Sequence, residues 1–308
     1  AVDFTWDATL AVPGPYSWRI DAGPTVRPAA GTIGGRVAAL ALQQVTASRL
    51  TFSPNGDGKD EETRISYTLT RQATVTVTLT LADGTLVASL FTDTKPAGKN
   101  SFVFRGQGMT DGVYRIVLTA SAAGKTVVAS VPIVVNRTLV GFGASTPVFS
   151  PNRDGRLDAV SFPFSLAHAV QAQLRILRGT AEVALPFNGP LAVGTQKLSW
   201  DGTTSTGARA PDGAYRAELT VTDQLGPVKQ TVPVRLDTVA PRLRALSLAR
   251  LRFTLTEPAR VAFTINGRRI VKLAKRGTFS VPFAGAPRRV VAVATDDAGN
   301  RSLALRLP

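Results

Sequence analysis

The most constraining feature of this 308-residue sequence is an internal repeat. The segment TFSPNGDG at residues 51–58 returns as VFSPNRDG at residues 148–155, an offset of 97 residues. The following segments stay in phase, because the alternate apolar positions of ISYTL at 65–69 align with those of FPFSL at 162–166. Self-similarity at a fixed long spacing is typical of a chain built from similar modules in tandem.

The repeated segments have the pattern of β-strands. Their apolar residues alternate with polar or small ones, which is the period of a half-buried strand. Further along, DGVYR at 111–115 matches DGAYR at 212–216, and both enter long alternating segments. The 27 glycines and 20 prolines favour short strands with frequent turns. The predicted fold class is all-β, with tandem immunoglobulin-like β-sandwich modules.

Matching the repeats along the chain divides it into modules. We predict a partial Ig-like module with C-terminal strands only at 1–45, full Ig-like modules at 46–136 and 137–237, and a short basic Ig-like module at 238–308. The first module is called partial because FTWD at 4–7 corresponds to LSWD at 198–201, late in the full repeat. The last module follows the linker DTVAP at 237–241, and its Asn266-Gly267 pair predicts a hairpin turn.

Several of these motifs resemble those of known bacterial domains. The Trp200-Asp201-Gly202 turn and the DGAY entry at 212–215 resemble the Ig-like domain of flagellar hook-capping proteins, which also occurs in secreted proteases. The SPNGDG and SPNRDG openings resemble surface and sorting domains of gliding-motility-associated proteins. The last module, with its DTVAP linker and closing DDAGN, is similar to a bacterial Ig-like repeat. The resemblance implies β-sandwiches in an extracellular or cell-surface setting.

The sequence also limits thiol chemistry and membrane-spanning segments. It has no cysteine, which excludes disulfides, thiolate metal sites and a cysteine nucleophile. No apolar run approaches the ~20 residues of a membrane-spanning helix, so no transmembrane segment is predicted. The only methionine is Met109, and we therefore expect the chain to be processed or to be a fragment of a longer protein.

No catalytic residues are predicted, and the chain is predicted not to be an enzyme. Its only histidine, His168, aligns with Arg71 in the preceding repeat, which indicates a solvated turn position. A Ser-His-Asp arrangement would have to use this histidine. The sequence contains no HExxH motif and no Gly-rich phosphate-binding loop. No cofactor is required by this interpretation, although calcium is considered for the two repeated loops.

The SPNxDG loops have oxygen donors at alternate positions, as a calcium loop does. The candidate donors are the side chains of Asn55, Asp57 and Glu61 with the Lys59 carbonyl, and those of Asn152, Asp154 and Asp158 with the Arg156 carbonyl. Both loops lack the leading Asp and the distal bidentate Glu of such sites. The alternative is an Asn/Asp-Gly turn whose side chains bind their own backbone. The sequence leaves both interpretations open.

The aromatic residues at repeated positions are predicted to lie in the sandwich cores. They are Trp6, Tyr16, Tyr114, Trp200 and Tyr215, and Trp18 is grouped with them because it shares the strand face of Tyr16. In Ig-like sandwiches the Trp fills the core, and the Tyr packs inward and binds a corner of the backbone. The alternative is a row of exposed rings for stacking on sugars.

The net charge of +15 is concentrated in the last module. Residues 238–308 contain 14 basic and three acidic residues, a net charge of +11. The candidate binding residues are Arg268, Arg269, Lys272, Lys275, Arg276, Arg288 and Arg289. Nucleic-acid binding would require exposed stacking aromatics, but the four phenylalanines of this module occur in the buried phase of strands. An anionic cell-envelope polymer, such as teichoic acid or an acidic polysaccharide, requires only a cationic face. Another envelope protein with an acidic surface is a further candidate partner.

These features predict a non-catalytic spacer and attachment segment of a secreted or cell-surface bacterial protein. Stacked sandwiches would hold a functional part away from the envelope, and the basic C-terminal module would dock. One alternative is the accessory C-terminal tail of a secreted hydrolase, covalently linked to an upstream catalytic domain. Another is a structural subunit of a surface appendage, or a hook-cap relative, whose partial first module is completed by strand addition from another chain.

Overall fold

The computed structural model describes Thr5, residues 15–34 and residues 39–308. Within these residues the chain forms strands and turns, without a helix. Contacts group the chain into two units, the first comprising Ala1–Pro54 and Asp60–Val135 and the second comprising Asn55–Lys59 and Asn136–Pro308. All-β sandwich modules were the predicted fold class, and the structure confirms this prediction.

The first unit opens with a two-stranded antiparallel sheet. Its strands are β1 (Pro15–Ile20) and β2 (Ala29–Gly34). Trp18 lies opposite Gly31, and a Cβ atom on that glycine would come within 2.6 Å of the indole ring. The small residue therefore lets the ring lie flat on the neighbouring strand. The Trp18 side chain remains 39% exposed, so its predicted place in a core is wrong.

The rest of the first unit is a β-sandwich. Its strands are β3 (Leu42–Ala47), β4 (Thr51–Phe52), β5 (Thr63–Leu69), β6 (Ala73–Leu81), β7 (Leu86–Lys95), β8 (Gly98–Phe104), β9 (Gly112–Ala122) and β10 (Lys125–Val135). One sheet has the order β4-β10-β9-β6-β7, and the other has the order β3-β5-β8. The predicted boundary at 45/46 therefore falls inside β3, which pairs with β5.

Strict alternation along the central strands builds the core of this sandwich. Val75, Val77 and Leu79 of β6 are buried, and the threonines between them face outward. β-Branched residues suit such half-buried strands, since their side chains pack well on a pleated surface. Ile65 of β5 and Ile116 of β9 come from opposite sheets and are both fully buried in the same core.

The first sandwich of the second unit spans the 137–237 module. Its strands are β11 (Leu139–Val140), β12 (Val148–Phe149), β13 (Val160–Leu166), β14 (Val170–Arg178), β15 (Ala181–Leu191), β16 (Gly194–Trp200), β17 (Gly213–Asp223) and β18 (Gly226–Leu236). The sheets have the orders β12-β18-β17-β14-β15 and β11-β13-β16, which repeats the topology of the preceding sandwich. The repeat found in the sequence is therefore a repeat of strand order.

The Trp200-Asp201-Gly202 motif forms a turn that only glycine fits. Gly202 has φ +82°, a left-handed conformation that is costly for residues with a Cβ atom. A Cβ atom there would also approach Pro151 of the SPNRDG opening to 2.7 Å. The Trp200-Asp201-Gly202 turn and the SPNRDG opening are therefore in contact with each other.

The last sandwich spans most of the 238–308 module. Its strands are β19 (Leu243–Ser247), β20 (Arg252–Leu255), β21 (Ala259–Ile265), β22 (Arg268–Ala274), β23 (Gly277–Ser280), β24 (Val290–Thr295) and β25 (Leu305–Leu307). A three-stranded sheet β19-β20-β23 faces a four-stranded sheet β22-β21-β24-β25. Phe253 and Phe263 pack between the sheets with ring centres 4.9 Å apart. This module therefore has a hydrophobic core of its own.

Candidate functional site

Four of the predicted arginines lie at one end of the last sandwich. Arg268 begins β22, and Arg289 immediately precedes β24. Both strands pair with β21, where Ile265 is opposite Arg268 on one side and Val290 on the other. Two inter-strand spacings of about 5 Å therefore separate the Cα atoms of Arg268 and Val290. We call the exposed residues Arg268, Arg269, Arg288 and Arg289 the arginine end.

Asn266 connects the two segments that contribute these arginines. Its side-chain nitrogen donates to the carbonyl oxygen of Ala286 at 3.0 Å. Its side-chain oxygen accepts from the amides of Arg288 at 2.8 Å and Arg289 at 3.0 Å. The Asn266 amide in turn donates to the Arg289 carbonyl at 2.9 Å. The hairpin turn and the 286–289 segment are therefore fastened together by one residue.

The other three predicted cations lie elsewhere in the module. The Lys272 ammonium donates to the carbonyl oxygen of Ser280 at 2.6 Å and lies 5.9 Å from the centre of the Phe279 ring. It therefore links β22 to β23. Lys275 and Arg276 follow β22 at its far end, about 20 Å from Arg268 at the usual rise per residue of a strand. The structure thus does not bring the seven predicted binding residues into one patch.

Carboxylates occupy the end of the module opposite the arginines. In the described part of the chain, Asp237, Glu257 and Asp296 form a group whose potential ligand atoms all lie within 4.8 Å of one another. Burial raises the pKa of Glu257, and the nearby charges of Asp237 and Asp296 raise it further. Burial likewise raises the pKa of Asp296 although Asn300 donates to it. A group of this kind has the oxygen donors that a hard cation prefers.

Sequence reasoning did not single out this carboxylate group. Asp237 belongs to the DTVAP linker and Asp296 to the closing DDAGN motif, and both motifs were used only as signs of the fold. The linker enters the module at this end, so the arginine end is the one farther from the linker. The module therefore has a group of carboxylates beside the linker and four exposed arginines at the opposite turn.

The first SPNxDG loop packs on the 137–237 sandwich within the second unit. The Asn55 side chain donates to the carbonyl oxygen of Leu139 at 3.0 Å. The Lys59 ammonium donates to the carbonyl oxygen of Phe142 and lies 5.8 Å from the centre of its ring. Two of the predicted calcium residues thus use their side chains to hold backbone carbonyls of β11 and the segment after it.

Asp57 accepts hydrogen bonds on both carboxylate oxygens. One carboxylate oxygen accepts from the Lys59 amide at 2.8 Å, and the other accepts from Gly141 at 2.9 Å and Gln230 at 3.3 Å. Burial alone would raise the pKa of Asp57, but these hydrogen bonds and the Lys59 charge outweigh it and hold the pKa below its ordinary value. Glu61, the remaining predicted donor, belongs to the first unit.

The second loop is closed by backbone amides. Asp158 accepts from Arg153 at 2.6 Å with one oxygen and from Gly155 at 2.8 Å with the other. Asp154 accepts from the Arg156 amide at 2.8 Å, and Asn152 accepts from the Asp154 amide at 2.9 Å. The bonds of Asn152 and Asp154 are the Asx-turn bonds that Asn and Asp make with the backbone two residues on. A cation would have to displace such donors to use the same oxygens.

The second loop contacts the closing motif of the last module. The Asn152 side chain donates to the Asn300 side chain at 3.1 Å, and the buried Ser150 hydroxyl donates to the same Asn300 oxygen. Asn300 also donates to the carbonyl oxygen of Asp237 at 2.8 Å. In the first loop the equivalent residue, Asn55, donates to Leu139. The first asparagine of SPNxDG therefore donates a hydrogen bond to a residue outside its own loop in both copies.

Calcium binding by the loops predicts that a millimolar chelator lowers the melting temperature, whereas amide-closed turns predict no change. We expect no change, because the oxygens described above already accept hydrogen bonds from N–H groups. A cation at a hundredfold excess over its Kd would add about 2.7 kcal/mol of stability, a shift easily seen by calorimetry. Melting with calcium and with chelator is the measurement.

Two variants locate the cation if the chelator does lower the melting temperature. Asp154→Asn removes a predicted loop ligand, and Glu257→Gln removes a member of the carboxylate group beside the linker. Loss of the chelator effect in the loop variant alone would contradict our expectation and restore the loop as a calcium site. Loss in Glu257→Gln alone would place the cation among Asp237, Glu257 and Asp296 instead.

The core aromatics are where their repeat positions predict. Trp200 is 2% exposed, and Tyr114 and Tyr215 are also buried. The hydroxyl of Tyr114 donates to the carbonyl oxygen of Thr110 at 3.0 Å, and that of Tyr215 donates to Pro211 in the same way. Tyr16 is partly buried, and Trp6 lies outside the described residues. His168 is exposed in the turn before β14, as its alignment with Arg71 predicts.

Comparison with known proteins finds an Ig-like domain family for part of the chain. Residues 51–124 match the FlgD Ig-like domain family. The predicted resemblance to the Ig-like domain of hook-capping proteins is confirmed for this segment, which runs from β4 to the turn after β9. No curated protein sequence matches the chain.

Solved structures to which the chain is similar include tandem Ig-like repeats of adhesins. A tetra-tandem repeat from the extending region of a large adhesion protein is 17% identical over 98% of this chain and 82% of that chain, with a TM-score of 0.30. A 1.5-MDa bacterial ice-binding adhesin is 16% identical over 87% of this chain and 94% of that chain, with a TM-score of 0.23. A three-domain Ig segment of titin is 11% identical over 85% of this chain and 95% of that chain, with a TM-score of 0.28. At these identities the likeness concerns the fold alone.

Membrane insertion through a helix finds no support in the described residues, where no helix is long and apolar enough to cross a bilayer.

Proposed function

We propose that the chain is a non-catalytic spacer and attachment segment of a secreted or cell-surface bacterial protein, and that its 238–308 module docks to an anionic polymer of the cell envelope. The observation that carries the proposal is the separation of charge within this module. Four exposed arginines lie at the turn farther from the linker, while the acidic residues lie beside it. An outward cationic end attracts polyanions, because the acidic side chains that would weaken its field lie at the other end of the module.

The residues around the arginine end favour a partner that is recognised by its negative charge alone over a nucleic acid, which is also recognised by stacking on its bases. Binding of single strands relies on exposed aromatic rings that stack on bases. In this module Phe253 and Phe263 are fully buried, and Phe279 and Phe283 pack partly buried against the same core. Guanidinium groups bind phosphate and carboxylate equally well through paired N–H donors. Both teichoic acids and acidic polysaccharides therefore fit the chemistry.

The attachment proposal predicts that removing residues 238–308 abolishes binding. We compare the intact chain with one that ends at Asp237, using immobilised polyphosphate and polygalacturonate as probes. The intact chain is expected to bind both polymers. Its binding should weaken as added salt shortens the electrostatic screening length from about 30 Å at 0.01 M to about 8 Å at 0.15 M. The shortened chain, which loses a net charge of +11, is expected not to bind.

Folding of the shortened chain is checked by calorimetry. The 137–237 sandwich has a hydrophobic core separate from that of the 238–308 module, so it should still melt cooperatively. Some loss of stability is expected, since Asn300 no longer binds Ser150 and Asn152. Equal binding by both chains would refute docking through the last module.

A further inference from the structure

The Asn266-Gly267 turn does more than reverse the chain. Asn266 has φ +49° and Gly267 has φ +84°, so both central residues are in the left-handed region. Two-residue hairpins of this kind match the twist of the flanking strands, and Asn and Gly adopt them with the least strain. Gly alone would satisfy the backbone at position 266. The amide side chain is therefore available for another purpose, and it binds the 286–289 segment.

The bonds of Asn266 decide where two of the four arginines lie. The segment before β24 contains Pro282, Gly285 and Pro287, and it has no strand partner of its own. Within the described residues, the Asn266 side chain makes three hydrogen bonds to the backbone of this segment. Without them Arg288 and Arg289 would be anchored to the hairpin only through the backbone bond at residue 266 and the start of β24.

We propose that Asn266 is the positioning residue of a four-arginine site that binds a chain of phosphate or carboxylate groups. The inference rests on the attachment function proposed above and deepens it. Arg268 and Arg269 are successive residues of β22, so they point to opposite faces of the sheet. The four guanidinium groups thus flank the turn and do not line a single pocket. A flexible polyanion that crosses the turn can meet both sides, whereas a single small anion cannot.

Positioning should act on dissociation and leave the long-range attraction unchanged. Replacing Asn266 with glycine leaves the net charge unaltered and permits the same left-handed backbone. Electrostatic steering, which governs the association rate, depends on charge and should be preserved. In the variant, however, binding of the polymer has to order the loop that carries Arg288 and Arg289, and this ordering reduces the binding free energy. Ordering costs of this kind appear mainly as faster dissociation.

The test measures association and dissociation rates of the full chain on immobilised polyphosphate at physiological salt. Asn266→Gly is expected to raise the dissociation rate about tenfold and to change the association rate less than twofold, on the scale of ordering two long side chains. The matched control is Lys275→Gln with Arg276→Gln, at the opposite end of the module. Because about 20 Å exceeds the screening length of about 8 Å, this control should change neither rate more than twofold.

Inorganic phosphate and polygalacturonate complete the set of probes. We expect millimolar inorganic phosphate to compete poorly with polyphosphate, and polygalacturonate to show the same dissociation effect as polyphosphate if the shared anionic charge is what is recognised. An effect on one polymer only would assign the site to phosphate or to carboxylate, and would still support the positioning role of Asn266.

The outcomes separate this inference from the proposed function. If the unaltered chain binds neither polymer, docking itself is refuted and the inference fails with it. If the unaltered chain binds but Asn266→Gly dissociates at the same rate, docking stands and the positioning role is refuted. A variant that only unfolds would lower the binding amplitude without changing either rate constant, and that result would also count against the inference.

Discussion

Replacing Arg268, Arg269, Arg288 and Arg289 together with glutamine is expected to weaken binding of the full chain to polyphosphate at least 100-fold at physiological salt. A cation close to a densely anionic surface contributes about 1 kcal/mol, so removal of four costs on the order of a thousandfold before any compensation. The remaining cations do not compensate fully. Lys272 is engaged with Ser280 and Phe279, and Lys275 and Arg276 lie at the other end of the module.

A second fourfold variant serves as the control for net charge. Arg242, Arg244, Lys275 and Arg276 are also exposed, and they lie at the linker end of the same module, beside the start of β19 and just after β22. Their replacement by glutamine removes the same charge from a different surface. We expect this variant to bind within about fivefold of the unaltered chain, because screening confines charge effects to about 8 Å.

The affinity of both variants as a function of salt concentration shows whether binding depends on the arginine end or on total charge. The dependence on salt should become shallower in the first variant, which has lost direct contacts with the polymer, and should remain nearly unchanged in the second. Equal weakening by both variants would mean that total charge alone drives binding. The arginine end would then have no special role.

The repeat and the strands could be predicted from the sequence because their signals are local. The period-2 pattern of residues 65–69 reports burial on one face of a strand, and the same pattern 97 residues later reports an equivalent strand. The buried tyrosines follow from the same alignment, since Tyr114 and Tyr215 occupy one position of the repeat. Their corner hydrogen bonds are properties of the sandwich and not of the individual sequence.

The arrangement of charges could not be predicted in the same way. Residues 268–289 are dense in arginine and lysine, and a linear sequence does not show that β22 carries Lys275 to the opposite end from Arg268. The proximity of Asp237 to Asp296 likewise depends on strand pairing between distant segments. Asn266 was recognised as part of a turn, but its bonds to residues 286–289 arise from the register between β21 and β24.

Replacing Trp200 with alanine is expected to destabilise the 137–237 sandwich by about 3–5 kcal/mol, the usual cost of emptying a large buried aromatic site. Trp200 is 2% exposed, and its ring meets Phe149 and Tyr215 edge-on with centres 5.2 and 5.1 Å away. Its indole N–H donates to the carbonyl oxygen of Thr203 at 2.7 Å. The variant therefore loses packing and a partly buried hydrogen bond together. A domain stable by about 5–15 kcal/mol would be left marginal.

Calorimetry of the full chain should show one melting transition of the variant moved down by about 15 °C or more, since each kcal/mol shifts a domain of this size by about 4–8 °C. The other transitions should stay in place because the three cores are separate. Trp18→Ala is the matched control, and we expect it to move no transition by more than a few degrees, because its ring is already 39% exposed. The melting temperature of Trp200→Phe should lie between those of Trp200→Ala and Trp18→Ala, since this variant retains the edge-on ring contacts but not the indole N–H.

If Trp200→Ala instead melted like the unaltered chain and lost affinity for a saccharide, the ring would have to be a stacking surface. Its burial between Phe149 and Tyr215 leaves no face for a sugar, and for this reason a large loss of stability is the expected result.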